Sequence, residues 1–227
     1  MSDLDLAAFV ASFPWMIFVV GALLSLFLSL ALKPVARRTG WVDKPNFRKI
    51  HKGEIPLIGG WSILAAAIVL QIWGPAEQRA PLGYWIGGLL LFIVAMIDDR
   101  SPIRARYRAL VQLGAAVAGV AIGGQVLPTL GDFLGLGAIS TMWLMVPISI
   151  IGTVAVVNAV NFTDGADGLC GGLSFISLFW FTVALIISSR YAVALHVEPA
   201  PYAASMLPLA AALLGGIAGF LWFNLRS

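Results

Sequence analysis

Seven apolar runs constrain this chain more than anything else in it. Each is long enough, or nearly so, to cross roughly 30 Å of hydrocarbon as a helix. They lie at about 13–32, 57–73, 82–97, 109–127, 141–160, 169–188 and 203–223. In hydrocarbon every backbone amide needs a partner within the protein, which a helix supplies. With 60% hydrophobic content over 227 residues, no polar stretch is long enough to fold as a soluble domain. The predicted fold is therefore all-α, a polytopic integral membrane bundle of about seven transmembrane helices forming one domain over residues 1–227. Gly87-Gly88, Gly123-Gly124, Gly171-Gly172 and Gly215-Gly216 suit close helix packing, and Pro147 and Pro208 fall inside predicted spans.

The charges between the runs set an orientation. Lys33, Arg37, Arg38, Lys44, Arg48, Lys49 and Lys52 follow the first run. Arg100, Arg104, Arg106 and Arg108 follow the third, and Arg226 follows the last. Twelve of the fourteen basic residues thus share one side, against Arg79 and Arg190 on the other. By the positive-inside rule the N-terminus is outside and the odd-numbered loops are cytoplasmic. Asp3 and Asp5 precede the first run with no basic region, so that run is expected to stay as an anchor and not to be cleaved as a signal. The net charge of +3 is too mild to imply nucleic-acid binding, and the single Cys170 allows no intrachain disulfide.

Three polar clusters interrupt the apolar pattern, and all fall on the predicted cytoplasmic side. Asn158-Ala-Val-Asn161-Phe-Thr-Asp164-Gly-Ala-Asp167-Gly168-Leu169 sets two amides and two carboxylates three residues apart. At helical pitch that spacing puts successive side chains within about one turn of each other, so the four groups can converge on one face at a helix end. Ionisable groups at a membrane cost a few kcal/mol unless they meet a cavity, a partner or water. A solvated polar turn is the plain reading; the regular spacing favours a ligand site. Asp98 and Asp99 end the third run, where adjacent carboxylates gain from a divalent cation, a basic partner such as Arg100 or Arg104, or a proton held at raised pKa. The first cytoplasmic loop carries His51-Lys52-Gly53, Pro56 and Gly59-Gly60. Its cations can enforce topology or bind anionic lipid, yet the ordered pattern looks like a phosphate-binding loop leading into a helix. Hard oxygen ligands beside phosphate-binding cations are the setting in which Mg²⁺ acts. The residues by themselves thus describe a membrane enzyme handling a phosphorylated substrate at the cytoplasmic interface.

At these residues the chain resembles the polyprenyl-phosphate N-acetylhexosamine-1-phosphate transferases. The His51-Lys52-Gly53-x-x-Pro56-x-x-Gly59-Gly60 loop is similar to the branch that primes O-antigen, enterobacterial common antigen and teichoic-acid synthesis. The resemblance implies transfer of N-acetylhexosamine 1-phosphate, often GlcNAc 1-phosphate, from a UDP-sugar to undecaprenyl phosphate with release of UMP. It implies Mg²⁺, or Mn²⁺ in its place, with Asn161 as a metal ligand. Asn158, Asp164 and Asp167 would then shape the uridine-diphosphate site, Asp98 and Asp99 stand beside the reacting phosphates, and Lys52 and His51 contact phosphate. The implied partners are undecaprenyl phosphate, a UDP-N-acetylhexosamine and membrane lipid, with no nucleic acid and with a homodimer as a candidate assembly. The implied location is the bacterial inner membrane, multi-pass, with the active site facing the cytoplasm.

Two features depart from the family pattern. Asp99 is followed by Arg100-Ser101-Pro102 where a third carboxylate is common, and residues 223–227 stand where the family continues into a Gly-Asp-Ala-Gly-Ser loop and a histidine-rich loop. The chain is therefore read as a domain truncated at its C-terminus, weakly active or inactive by itself. The alternative is a non-catalytic lipid-binding or scaffold relative lacking the complete metal site. A small transporter ranks last, because the predicted span centres lack ionisable residues.

Overall fold

The computed structural model describes residues 10–43, 55–124, 126–132, 135, 137, 141–163, 168–194 and 203–225. Among them are seven helices of fifteen or more residues. In order they are α1 (Trp15–Thr39), α2 (Gly59–Trp73), α3 (Leu82–Arg100), α4 (Ala105–Ala121), α5 (Met142–Phe162), α6 (Leu169–Ala194) and α7 (Ala203–Asn224). A two-residue ribbon, β1 (Val42–Asp43) with β2 (Ile55–Pro56), lies between α1 and α2, and a single 3-10 turn, Ala76–Gln78, follows α2. Every apolar run is thus a helix. Five of the helices, α1, α3, α5, α6 and α7, are by length and composition able to cross a membrane. The other two are shorter: α2 has 15 residues and α4 has 17. At about 1.5 Å per residue these fall short of a full hydrocarbon core, and Arg106 and Arg108 make the head of α4 polar.

The helices form two compact units along the chain, residues 1–80 with 165–227, and residues 81–164.

In the first unit α7 packs against α1, α2 and α6. The contact with α1 is the closest. A Cβ at Gly215 would land on the carbonyl oxygen of Phe18, and one at Gly219 on that of Ala22. With no side chain at either position the two backbones touch, as small residues allow in membrane helices. These pairings rise together along both helices, so α1 and α7 are parallel. Gly59 opposite Phe220 and Gly216 opposite Ile63 make α2 antiparallel to α7, and Gly171 opposite Leu221 does the same for α6. Between α1 and α2 runs a buried seam of small polar side chains. Ser29 Oγ donates to Ser62 Oγ at 3.0 Å, and Ser62 Oγ donates to the Gly59 carbonyl at 3.0 Å, so the hydroxyls enter the apolar interior with partners.

α1 outlasts its apolar run by seven residues, because Lys33, Arg37 and Arg38 are helix formers and suit the negative end of the helix dipole. It stops at Gly40, whose φ of 70° places it in the left-handed region and lets the Trp41 N–H turn back to the Ala36 carbonyl at 2.8 Å. Beyond it the ribbon pairs Val42 with Pro56 and Asp43 with Ile55. Beneath the ribbon Ala36, Ile58 and Phe223 are buried together, with Leu26, Leu32, Trp41 and Phe220 packed around them.

In the second unit α4 packs against both α3 and α5. Gly83 faces Gly123 and the Ala118 carbonyl, and Gly87 faces the Ala115 carbonyl, so α3 and α4 are antiparallel and nearly in backbone contact. Leu127 N–H donates to Ser149 Oγ at 2.8 Å near the start of α5. Asn158, close to the end of α5, meets Gln112, in the first half of α4. Those two links make α4 and α5 antiparallel as well. One end of this unit therefore collects the C-terminus of α3, the N-terminus of α4 and the C-terminus of α5.

Candidate active site

Asp98 sits in the last turn of α3, and the short connection from Ser101 to Arg104 folds α4 back beside it. Oδ1 of Asp98 accepts the Ile103 N–H at 2.6 Å, and Oδ2 accepts from Arg108 Nη1 at 3.0 Å. Both carboxylate oxygens are thereby engaged in the helical hairpin. The cation on Asp98 is Arg108, one turn into α4, where the sequence had suggested Arg100 or Arg104. Reversal of the chain at Ser101 brings residues 98 and 108 to the same level. A charge-assisted hydrogen bond contributes about 1.5–3 kcal/mol when shielded. With Arg108 39% exposed, water screening reduces this pair to about 1 kcal/mol. Asp99, next along the helix, has an exposed side chain.

Asn158 is held by amide hydrogen bonds. Its Nδ2 donates to Gln112 Oε1 at 2.8 Å and to the Val154 carbonyl at 2.8 Å, while Gln112 Nε2 lies 3.5 Å from Asn158 Oδ1. One turn later Asn161 has an exposed side chain, just before α5 closes with Thr163 N–H and Oγ1 donating to the Val160 carbonyl at 3.1 and 2.7 Å. Asp98, Asp99, Asn158 and Asn161 are thus gathered at one end of the second unit. Asp164 and Asp167 lie outside the described residues.

The first unit carries the other half of the motif and the feet of the basic loop. Gly168 has φ 75° and its carbonyl accepts the Gly172 N–H at 2.8 Å, starting α6. Any side chain there would be strained and would also press on Leu225. The loop with His51 and Lys52 lies outside the described residues. Its flanks, the ribbon and the buried Ala36, Ile58 and Phe223, are at the same end of the unit as Gly168, with Lys33 Nζ 5.1 Å above the Phe223 ring.

Among the described residues no group of three or more His, Cys, Asp or Glu side chains converges. The donors that are present suit a hard cation that keeps most of its waters: the exposed Asn161 amide oxygen and the exposed Asp99 carboxylate. α5 ends with no basic residue in its last turn, which leaves the negative pole of its dipole available to a cation.

Two residues of this region, Gln112 and Arg108, were not singled out by the motifs. Gln112 is a lone amide inside the fourth apolar run, a signal that marks polar residues with partners in membrane helices. Arg108 carries no such signal, since basic residues in a cytoplasmic loop already have a topological reason.

Residues 81–227 match the model of glycosyl transferase family 4. Three bacterial proteins named undecaprenyl-phosphate alpha-N-acetylglucosaminyl 1-phosphate transferase are similar to the chain. The one from Yersinia pestis is 39% identical over 178 residues, which cover 74% of this chain and 46% of the relative. That from Escherichia coli strain K12 is 37% identical over 172 residues, 69% of this chain and 44% of the relative. The Salmonella typhimurium protein is 38% identical over 166 residues, with the same two shares. The chain spans about half the length of the curated relatives it matches. The matched segment takes in α3 to α7, with the acidic pair and the whole of the Asn158–Leu169 motif, and on that ground the chain belongs to glycosyl transferase family 4.

Proposed function

We propose that the protein transfers N-acetylhexosamine 1-phosphate, with GlcNAc 1-phosphate first among the candidates, from a UDP-sugar to undecaprenyl phosphate, releasing UMP. The observation that carries this reading is the gathering of Asp98, Asp99, Asn158 and Asn161 at one end of a three-helix unit in a chain of this family. The names of the relatives supply the lipid acceptor and the sugar. The positive-inside count supports a cytoplasmic position for that end, the side on which nucleotide sugars are found, and the bacterial relatives support an inner-membrane location.

Within this reading the two aspartates differ. Asp98 shapes the α3–α4 hairpin through the Ile103 amide and Arg108, and Asp99 is the carboxylate that meets the reacting phosphates. A phosphate monoester has its second pKa near 6, so the lipid phosphate is already largely dianionic at neutral pH. A base is then needed only for the minority monoanion, and the larger contribution of the pair is to position. Asn161 and Asp99 would hold Mg²⁺ or Mn²⁺, which when bound neutralises charge on the diphosphate. Asp164 and Asp167 would complete the nucleotide site, and His51 and Lys52 would bring positive charge to the phosphates.

The test is UMP release in detergent from undecaprenyl phosphate and a panel of UDP-N-acetylhexosamines, with and without Mg²⁺. It is run on this chain and on this chain fused to the remaining portion of the Yersinia pestis relative. Mg²⁺-dependent release by either supports the transferase. Lipid phosphate binding with no release from both supports a non-catalytic lipid-binding relative instead.

A further inference from the structure

The amide clasp between α4 and α5 fixes more than the distance between two helices. A backbone carbonyl can only accept, so the atom of Asn158 that lies 2.8 Å from the Val154 oxygen must be the amide nitrogen. Its second proton goes to Gln112 Oε1 at 2.8 Å. Both protons of Asn158 Nδ2 are therefore spent. Oδ1 faces Gln112 Nε2 at 3.5 Å, a separation at which little hydrogen-bond energy remains, so it keeps acceptor capacity for a ligand. Asn158 is half-buried, one turn before the exposed Asn161.

We infer that Gln112 is a positioning residue, which holds the Asn158 amide so that it meets the nucleotide sugar as an acceptor. An amide offered in this sense recognises hydrogen-bond donors, the imide N–H of a base, an acetamido N–H or a hydroxyl. It repels phosphate oxygens, which need the donor that Gln112 and Val154 have consumed. The sequence motif by itself leaves Asn158 either polarity; the Val154 carbonyl removes the choice, and Gln112, forty-six residues earlier, holds the amide in that orientation. This inference rests on the transferase reading for the identity of the ligand, and on hydrogen bonds within one unit for the orientation.

The experiment compares Gln112→Met, of nearly the same shape but with no acceptor oxygen, with Gln112→Glu, which keeps that oxygen. Each is measured for UMP release with whichever of the two chains is active, and for equilibrium binding of radiolabelled UDP-GlcNAc and of inorganic pyrophosphate. Gln112→Met should raise KM and Kd for UDP-GlcNAc about fivefold to tenfold, the loss expected for one misdirected hydrogen bond. Pyrophosphate binding and the KM for undecaprenyl phosphate should not change. Gln112→Glu should restore UDP-GlcNAc affinity to within about threefold of wild type. Gln112→Met combined with Asn158→Ala should be no weaker than Asn158→Ala alone, since Gln112 acts through Asn158. Equal loss of pyrophosphate and UDP-GlcNAc binding, additive effects in the double variant, or a change confined to the Mg²⁺ requirement would each overturn the inference. An active wild type with an unaltered Gln112→Met variant overturns it alone. A wild type that neither releases UMP nor binds UDP-GlcNAc overturns it together with the transferase reading.

Discussion

Arg108 Nη1 donates to Asp98 Oδ2 at 3.0 Å, joining the last turn of α3 to the first turns of α4. Asp98→Asn keeps an oxygen for the Ile103 N–H and loses the ionic half of the contact with Arg108. We expect thermal unfolding in detergent to show a loss of about 1 kcal/mol, with kcat reduced about tenfold and the pH–rate profile unchanged in shape. Disappearance of the acidic limb of that profile, with Mg²⁺ dependence intact, would make Asp98 the base and reject a positioning role.

Asp99 is exposed, and its substitution is expected to cost less stability than that of Asp98, whose two oxygens tie the hairpin together. Asp99→Asn is expected to leave thermal stability within about 0.5 kcal/mol of wild type, as surface changes do. It should lower kcat about a hundredfold or more, the range for a lost group acting on developing charge. A variant that is destabilised as much as Asp98→Asn and only mildly slowed would reverse the assignment of the two residues.

Asn161 should report on the metal. Asn161→Leu is expected to raise the Mg²⁺ concentration for half-maximal UMP release about tenfold, equivalent to about 1.4 kcal/mol. The KM for undecaprenyl phosphate should not move. EDTA should abolish release by the wild type and added Mg²⁺ restore it, and full activity in EDTA would remove the metal from the reading altogether.

The backbone contact between α1 and α7 makes a sharp stability test. Gly219→Leu would drive a side chain into the Ala22 carbonyl, and overpacking against backbone costs about 3 kcal/mol or more because neither helix can turn aside. Gly172→Ala, where nothing lies within 4 Å of the added methyl, should be neutral or gain about 0.5–1 kcal/mol from helix propensity. Thermal unfolding of the pair in detergent gives the comparison. Equal stability of the two variants would show that the close approach does not exist.

Hydropathy alone located all seven helices, because a span must be both apolar and long. It misjudged their ends for a physical reason: hydropathy registers the membrane, whereas a helix continues as far as its hydrogen bonds do. α1 runs on through Lys33, Arg37 and Arg38 to Thr39. α4 starts at Ala105, four residues before its apolar run, and stops at Ala121 ahead of Gly123-Gly124. Local spacing also exposed the motif from Asn158 to Leu169. What spacing does not contain is the partner of each group. The Asp98–Arg108 bridge depends on a hairpin, and the Gln112–Asn158 clasp on two helices that meet only after folding.

That α1 lies parallel to α7, backbone on backbone, bears on how the molecule is made. The surface of α1 that contains Phe18 and Ala22 is shaped for Gly215 and Gly219, yet five other helices leave the ribosome between the two. α1 must therefore enter the bilayer and wait with that groove covered by lipid or by a chaperone, because elongation at about 5–20 residues per second is far slower than helix motion in a membrane. The contact surface of α1 is in this sense completed only once α7 has been made. Delayed or failed arrival of α7 would leave a ready-made docking face for the quality-control machinery of the membrane.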